Sequence, residues 1–300
     1  MTVKEWYSAG KTTTINNLDI FYRHSFQNPD NTSNQHFSPG NRETLVCIHG
    51  FPTSSWDYEP IWTQLESRFD VVASDLIGLG GSEKPSQPIT VALQATMIET
   101  LANSLGIKEA HIFAHDLGDT VAQELLARQA EGSSIVNWQS CVFLNGGLFP
   151  ETHRAKFVQK VLASKLGPLL ANLSSERTFH KTMTNLFSIE NPPSEEFLSE
   201  SWKLLVANNG RSMMPRLLRY MNERRVNRAR WVSPMEKNVI PMRLINGIQD
   251  PISGLHAAQR YREIIPNPDI VLLEQAGHYP HVENPEEVLA AFFAFHDTLA

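Results

Sequence analysis

Asp116 stands at the centre of Ala114-His-Asp-Leu-Gly118, and its neighbours decide what its carboxylate can do. A small residue two positions before it and a glycine two after it permit a sharp strand-to-helix turn. Such a turn holds one side chain out above a parallel sheet. A serine at that apex needs a base to deprotonate it, whereas an aspartate is already ionised at neutral pH. Asp116 can therefore attack a saturated electrophilic carbon directly, giving an ester whose carbonyl belongs to the protein. Cleaving that ester requires a base for water, and His278, which follows Gly277, has the chemistry for it. Asp250 would hold the imidazole tautomer and stabilise the imidazolium. His49-Gly50-Phe51-Pro52 completes the set. The backbone N–H groups of Phe51 and Leu117 would meet the oxyanion that forms on the carboxylate of Asp116 itself.

Plainer roles compete with these. Aspartates favour turns and helix caps, which fits Asp116 or Asp250 taken singly. The pairs His49-Gly50 upstream and Gly277-His278 downstream favour catalysis, as does Asp250 lying after a strand, 28 residues before His278 (278 − 250 = 28). His281 reads as structural, and His49 and His115 as packing or hydrogen-bonding neighbours. Asp119 reads as a first-turn partner of the helix dipole. Arg216, Arg219, Arg224, Arg225, Arg228 and Arg230 form the densest charge cluster and read as a solvated helix face.

The elements that must position these residues follow from periodicity. Residues 11–24 read as a hairpin turning at Asn16-Asn17, and 27–43 as a polar loop. Strand patterns at 44–48, 71–74, 110–114, 140–144, 243–246 and 270–273 alternate with helix patterns at 55–68, 90–105, 119–129 and 255–264. A last helix is announced by Asn284 as N-cap, Pro285 and Glu287. This alternation predicts an α/β fold with a mostly parallel sheet flanked by helices on both faces. Each chemistry-bearing stretch follows a strand, where sites in such sheets lie. Between 148 and 232 the rhythm breaks, with helix patterns at 151–164, 174–186, 194–208 and 213–223 and no strand. The expectation is a core of residues 1–147 and 233–300, with a helical cap of residues 148–232 inserted after the sixth strand.

Composition narrows the class. The 300 residues are 41% hydrophobic and 19% charged, as in a soluble globular protein, and the formal charge of −6 argues against nucleic-acid or anionic membrane partners. Cys47 and Cys141 sit in apolar runs and read as buried thiols. The N-terminus lacks an apolar run of signal-peptide length, and no window approaches ~18 uninterrupted apolar residues, so a cytoplasmic protein is expected. Neither a metal nor an organic cofactor is expected. No ligand cluster has zinc spacing, no Gly-x-Gly-x-x-Gly opens a helix, and Gly78-Leu-Gly-Gly-Ser82 lacks the ending of a phosphate loop. Oligomeric state is left open.

The order nucleophile, acid, histidine resembles that of the α/β-hydrolase fold. His49-Gly50-Phe51-Pro52, Ser74 to Pro85, Gly247-Ile-Gln-Asp-Pro251 and Ala276 to Pro285 resemble the corresponding loops of epoxide hydrolases and haloalkane dehalogenases with an aspartate nucleophile. A closer match, carried by Gly50-Phe-Pro-Thr-Ser-Ser, His115 to Leu126 and Asn145 to Arg154, is to the mesoderm-specific transcript protein family. The resemblance implies a hydrolase acting on a small apolar electrophile. In epoxide hydrolases cap tyrosines protonate the departing oxygen. Tyr220, in Arg219-Tyr-Met-Asn-Glu-Arg224, resembles one of them, and the second has no counterpart. Dehalogenases hold halide with side-chain N–H donors beside the nucleophile, where this chain has Leu117 and Phe51; Trp202 in the cap is the candidate substitute. Epoxide hydrolysis therefore leads, dehalogenation is the alternative, and a non-catalytic ligand-binding protein on the same fold is the third reading.

Overall fold

The computed structural model describes residues 1–26, 42–152, 154 and 174–299. Its frame is an eight-stranded sheet in the order β1-β2-β4-β3-β5-β6-β7-β8. β1 (Lys11–Ile15) and β2 (Leu18–His24) form the expected hairpin. Asn16 and Asn17 take φ of 51° and 63°, the left-handed pair that a two-residue turn between twisted strands requires. β2 pairs antiparallel with β4 (Asp70–Ser74). The remaining strands, β3 (Thr44–Ile48), β5 (Glu109–Ala114), β6 (Asn137–Phe143), β7 (Met242–Gly247) and β8 (Ile270–Leu273), run parallel to β4. β6 begins three residues earlier than its apolar pattern suggests. Asn137 and Trp138 pair with Glu109 and Ala110 before an irregularity shifts the register, which breaks the alternation seen in the sequence.

Helices cover the sheet much as the periodicity implies. The pattern at 55–68 divides into a 3-10 turn, Ser55–Tyr58, and α2 (Glu59–Arg68); α3 (Val91–Ser104) is capped by Thr90, and α4 (Leu117–Ala130) follows Asp116. Ahead of them lies a helix the apolar pattern did not reveal, α1 (Val3–Ser8). Thr2 and Glu5 form a capping box that closes it, and Trp6 is buried with its Nε1–H donating to Ser55 Oγ at 3.1 Å. The helix Pro285–His296 starts where expected, but the Asn284 side chain makes no capping bond; its backbone N–H instead closes the preceding turn on Pro280 O at 2.8 Å. Both cysteines are buried free thiols.

Between β6 and β7 the described residues hold helices and no strand. Glu176–Thr184 and Glu195–Val206 match two expected helices; 27–41 and most of 151–164 lie outside the described residues. Asn208 and Asn209, at φ of 51° and 64°, stop the second helix. The pattern at 213–223 proves to be two helices, Met214–Leu217 and Tyr220–Val226. The helix Arg228–Glu236 runs through the expected core boundary at 232–233, and Trp231 Nε1–H donates to Glu124 Oε2 of α4 at 2.7 Å. Among the described residues no helix is long and apolar enough to cross a membrane.

α4 enters so close to β3 that a Cβ on Gly118 would lie 2.0 Å from Ile48 O. A strand carbonyl cannot yield as a flexible side chain can. Gly118→Ala is expected to lower unfolding free energy by about 3 kcal/mol, the upper range for overpacking, as measured by urea denaturation.

Candidate active site

The carboxyl ends of β3, β5, β6 and β7, with the loop after β8, converge on Asp116. This residue takes φ 50° and ψ −103°, a conformation that aspartate adopts only at a cost, and so projects from the turn between β5 and α4. Its N–H donates to Asn145 O at 3.1 Å. Phe51 N–H donates to Asp116 Oδ2 at 3.0 Å, so one carboxylate oxygen already sits on an amide donor. Leu117 opens α4, and its N–H is among those a helix leaves without an internal acceptor. The other oxygen, Oδ1, faces His278 Nε2 at 4.0 Å.

His278 Nδ1–H donates to Asp250 Oδ2 at 2.8 Å. That oxygen also accepts from Ser253 Oγ at 2.6 Å and Asn145 Nδ2 at 3.1 Å, while Ile252 N–H donates to Oδ1 at 2.7 Å. All three members of the set are buried. Burial works against a charge on His278, but Asp250 outweighs it, with Asp116 and Glu283 adding to the effect, and the imidazole is pushed up to about 9. Burial likewise works against ionising Asp250, yet His278 and the donors around it hold its carboxyl well below the usual range.

The structure thus brings Phe51, Asp116, Asp250 and His278 together. Tyr220 is buried close enough for Asp116 to act on it: burial first and the Asp116 charge second raise its phenol well above the ordinary value. Its hydroxyl has no hydrogen-bond partner among the described residues. Trp202 packs against Phe179 with ring centroids 5.5 Å apart and planes tilted by 43°, and lies under the Arg211 guanidinium at 4.9 Å, partners from its own helical segment. His49 and His115 are hydrogen-bonding neighbours. The first accepts from Leu76 N–H at 2.9 Å, and the Nε2–H of the second donates to His278 O at 2.7 Å.

Two readings are corrected. Arg224 does not lie on a solvated face; it is buried against the turn, Nε donating to Thr120 Oγ1 at 2.6 Å and Nη2 to Asp116 O at 3.0 Å. Asp119 does not serve the helix dipole as an exposed charge. Complete burial, with the Asp116 charge beside it, pushes its carboxyl well above the usual range.

Sequence reasoning also missed two organisers. Asn145 bonds the turn at Asp116 through its carbonyl, the loop of Asp250 through Gly247 O at 2.8 Å and Gly247 N at 2.7 Å, and Asp250 itself. Its place just beyond β6 was the available signal. Glu283 accepts N–H bonds from Ser188 and Gly277, each at 2.7 Å, and from Tyr279 at 2.8 Å, clasping the backbone on either side of His278.

Residues 45–291 match the model of the alpha/beta hydrolase family. The chain belongs to that family. It is 36% identical to the mesoderm-specific transcript protein of Mus musculus, over 97% of this chain and 86% of the relative. It is 30% identical to LipZ of Mycobacterium tuberculosis, by its name a hydrolase, over 95% and 94%. Among solved structures, the epoxide hydrolase CorEH superposes with a TM-score of 0.75 at 20% identity, covering 97% of this chain and 99% of that one. A haloalkane dehalogenase DbeA variant from Bradyrhizobium elkanii gives 0.76 at 17%, covering 97% and 96%. These last two likenesses concern the fold of this hydrolase-family chain.

The raised His278 has a consequence for stability. An imidazole ordinarily titrating at 6.5 and lifted to about 9 binds its proton more tightly when folded. That contribution is complete below about pH 6.5 and disappears as pH rises through about 9. Unfolding free energy is expected to fall across that window in the wild type, and His278→Gln should remove the step. Asn145→Ala, which strands buried partners in both loops, should cost about 2 kcal/mol by urea denaturation.

Proposed function

We propose that this alpha/beta hydrolase works through a covalent ester on Asp116 and that its substrate is an epoxide. The observation that carries the reading is the division of labour between the two oxygens of Asp116. Oδ2 rests on Phe51 N–H at 3.0 Å, and Oδ1 is turned toward His278 at 4.0 Å. In the first step Oδ1 attacks a ring carbon, the carbon–oxygen bond breaks, and its electron pair stays on the departing oxygen. Tyr220 gives that oxygen a proton. Ester formation cancels the anion facing His278, and the imidazolium passes its proton on to restore the phenol. Neutral His278 then takes a proton from water as the hydroxyl adds to the Asp116 carbonyl. The oxyanion forms on Oδ2 against the N–H groups of Phe51 and Leu117. Collapse releases the diol, with one water proton on the leaving oxygen and the other on His278, so the cycle ends as it began.

Tyr220 favours an oxygen leaving group over a halide. It offers a buried phenol within the field of the Asp116 carboxylate, while Trp202, the side-chain N–H donor the halide reading needs, makes its ring contacts within its own segment.

The test is intact mass spectrometry of His278→Gln after incubation with a panel of epoxides and haloalkanes. The expected result is an adduct of epoxide mass on Asp116, turnover of the same epoxide by the wild type, and neither in Asp116→Ala. An adduct with halide release would transfer the assignment to dehalogenation, and no adduct or turnover with any electrophile would overturn the enzyme reading. Tyr220→Phe should slow ester formation about 100-fold, the ordinary worth of a positioned acid, while hydrolysis of preformed ester continues unchanged; rapid-quench kinetics separate the two steps.

A further inference from the structure

Far from Asp116, at the amino ends of the parallel strands, three side chains from distant parts of the chain meet. Glu43 precedes β3, His111 lies in β5, and His296 ends the last helix. They are 68 (111 − 43) and 185 (296 − 111) residues apart, so no spacing in the sequence announces them. We infer that Glu43, His111 and His296 form a divalent transition-metal site, with zinc the ion their two nitrogens and one carboxylate suit.

The geometry carries the inference. Ligand atoms about 2.1 Å from a tetrahedral zinc ion lie roughly 3.4 Å from one another. Glu43 Oε2 is 3.5 Å from His296 Nε2, and Glu43 Oε1 is 3.8 Å from His111 Nε2. One ligand atom from each residue falls within a 4.8 Å mutual limit. The two imidazoles are themselves fixed, with ring centroids 4.4 Å apart and edge-on at 70°. Only small movements would complete the shell.

The chemistry of each donor agrees. His111 Nδ1 lies 2.8 Å from Ser140 Oγ, a hydroxyl able to accept from an Nδ1–H and so leave the Nε2 lone pair for an ion beside Glu43. His296 is buried, and its Nε2 has no hydrogen-bond partner among the described residues, a group that ordinarily requires one. The nearby cations are already engaged, Arg42 with Asp70 and Arg68 with Asp297. Glu43 is exposed and, with His111, borders a cavity of about 690 Å³ that gives the ion a way in and water a place in the remaining coordination position.

A metal here would pin the last helix to the edges of β3 and β5, and would stabilise the fold by binding only the native arrangement. The test is calorimetric titration of chelator-stripped protein with zinc sulfate, with cobalt(II) as a spectroscopic substitute. The expected result is one equivalent bound with Kd on the order of 1 μM, a raised Tm, and the intense visible bands of tetrahedral cobalt. Glu43→Ala alters an exposed side chain, and His296→Phe keeps an aromatic ring against His111 and Phe69. Each should weaken binding at least about 10-fold. His278→Gln should leave it unchanged, which separates this site from the catalytic histidine. Absence of binding at about 100 μM zinc, or equal binding by the Glu43→Ala/His296→Phe double variant, overturns the assignment.

Discussion

The backbone of Asp116 is held at φ 50°, ψ −103°, and much of the molecule is arranged to keep it there. A non-glycine residue in such a conformation costs on the order of 1–3 kcal/mol, which surrounding bonds must offset. Asn145 O takes its N–H and Arg224 takes its carbonyl. Side chains are stripped away where the elbow touches its neighbours. A Cβ on Gly50 would lie 2.7 Å from Asp116 Cβ, and one on Gly146 would lie 3.1 Å from Asp116 Cα. β3, β6, α4 and a helix from the insertion are thus all fitted to one strained residue. Rigidity at this point is what lets Phe51 N–H meet Oδ2 while Oδ1 stays clear.

The same residue sets the charge balance of the site. His278 sits between two carboxylates, bonded to Asp250 and facing Asp116, and the pair overcomes the burial that would otherwise keep it neutral. A base that holds its proton to about 9 is poorly suited to activate water at pH 7. In the proposed cycle this is no obstacle, because the first step removes one of the two anions. Burial then acts against a single carboxylate, and the base becomes available only when there is an ester to cleave. Asp250 cannot play that role, since four donors hold it ionised throughout.

Legibility in the sequence followed the range of the forces involved. Short-range rules showed the Asn16-Asn17 hairpin, the bounds of β3 and β8, and the helix Leu255–Ile264, because turn chemistry and apolar period act over a few residues. The sequence also marked Asp116, Asp250 and His278, which the fold brings together, since each sits in a local turn with its own glycine or proline signature. Asn145, Glu283 and Arg224 were opaque. Each works by hydrogen bonds to backbone or side chains that only the fold brings near, and apart from the place of Asn145 just beyond β6 nothing adjacent in the chain marks them. Arg224 misled outright, because five other arginines within 216–230 give the stretch the look of solvent-exposed surface. The break between Leu217 and Tyr220 was hidden for the opposite reason: the apolar pattern continues through it.

Arg224 also bears on the absence of a second cap tyrosine. It lies four residues after Tyr220 on one short helix, so the two side chains share a face. Its guanidinium stands 4.4 Å over the Tyr220 ring and at the same time bonds Asp116 O. A buried cation is costly unless several acceptors meet it, and here those acceptors are Asp116 O and Thr120 Oγ1, on and just after the turn. The helix is thereby locked at the register that puts the phenol near the carboxylate. When a phenol gives up its proton to a departing oxygen, negative charge develops on its own ring, and a fixed cation over that ring favours the charge. Burial and Asp116 make Tyr220 a weak acid at rest, while Arg224 works in the other direction. Once Asp116 is spent in ester formation, its opposition fades while the support from Arg224 persists. On the proposed reaction, one phenol with a guanidinium behind it meets the demand that a pair of phenols would otherwise share.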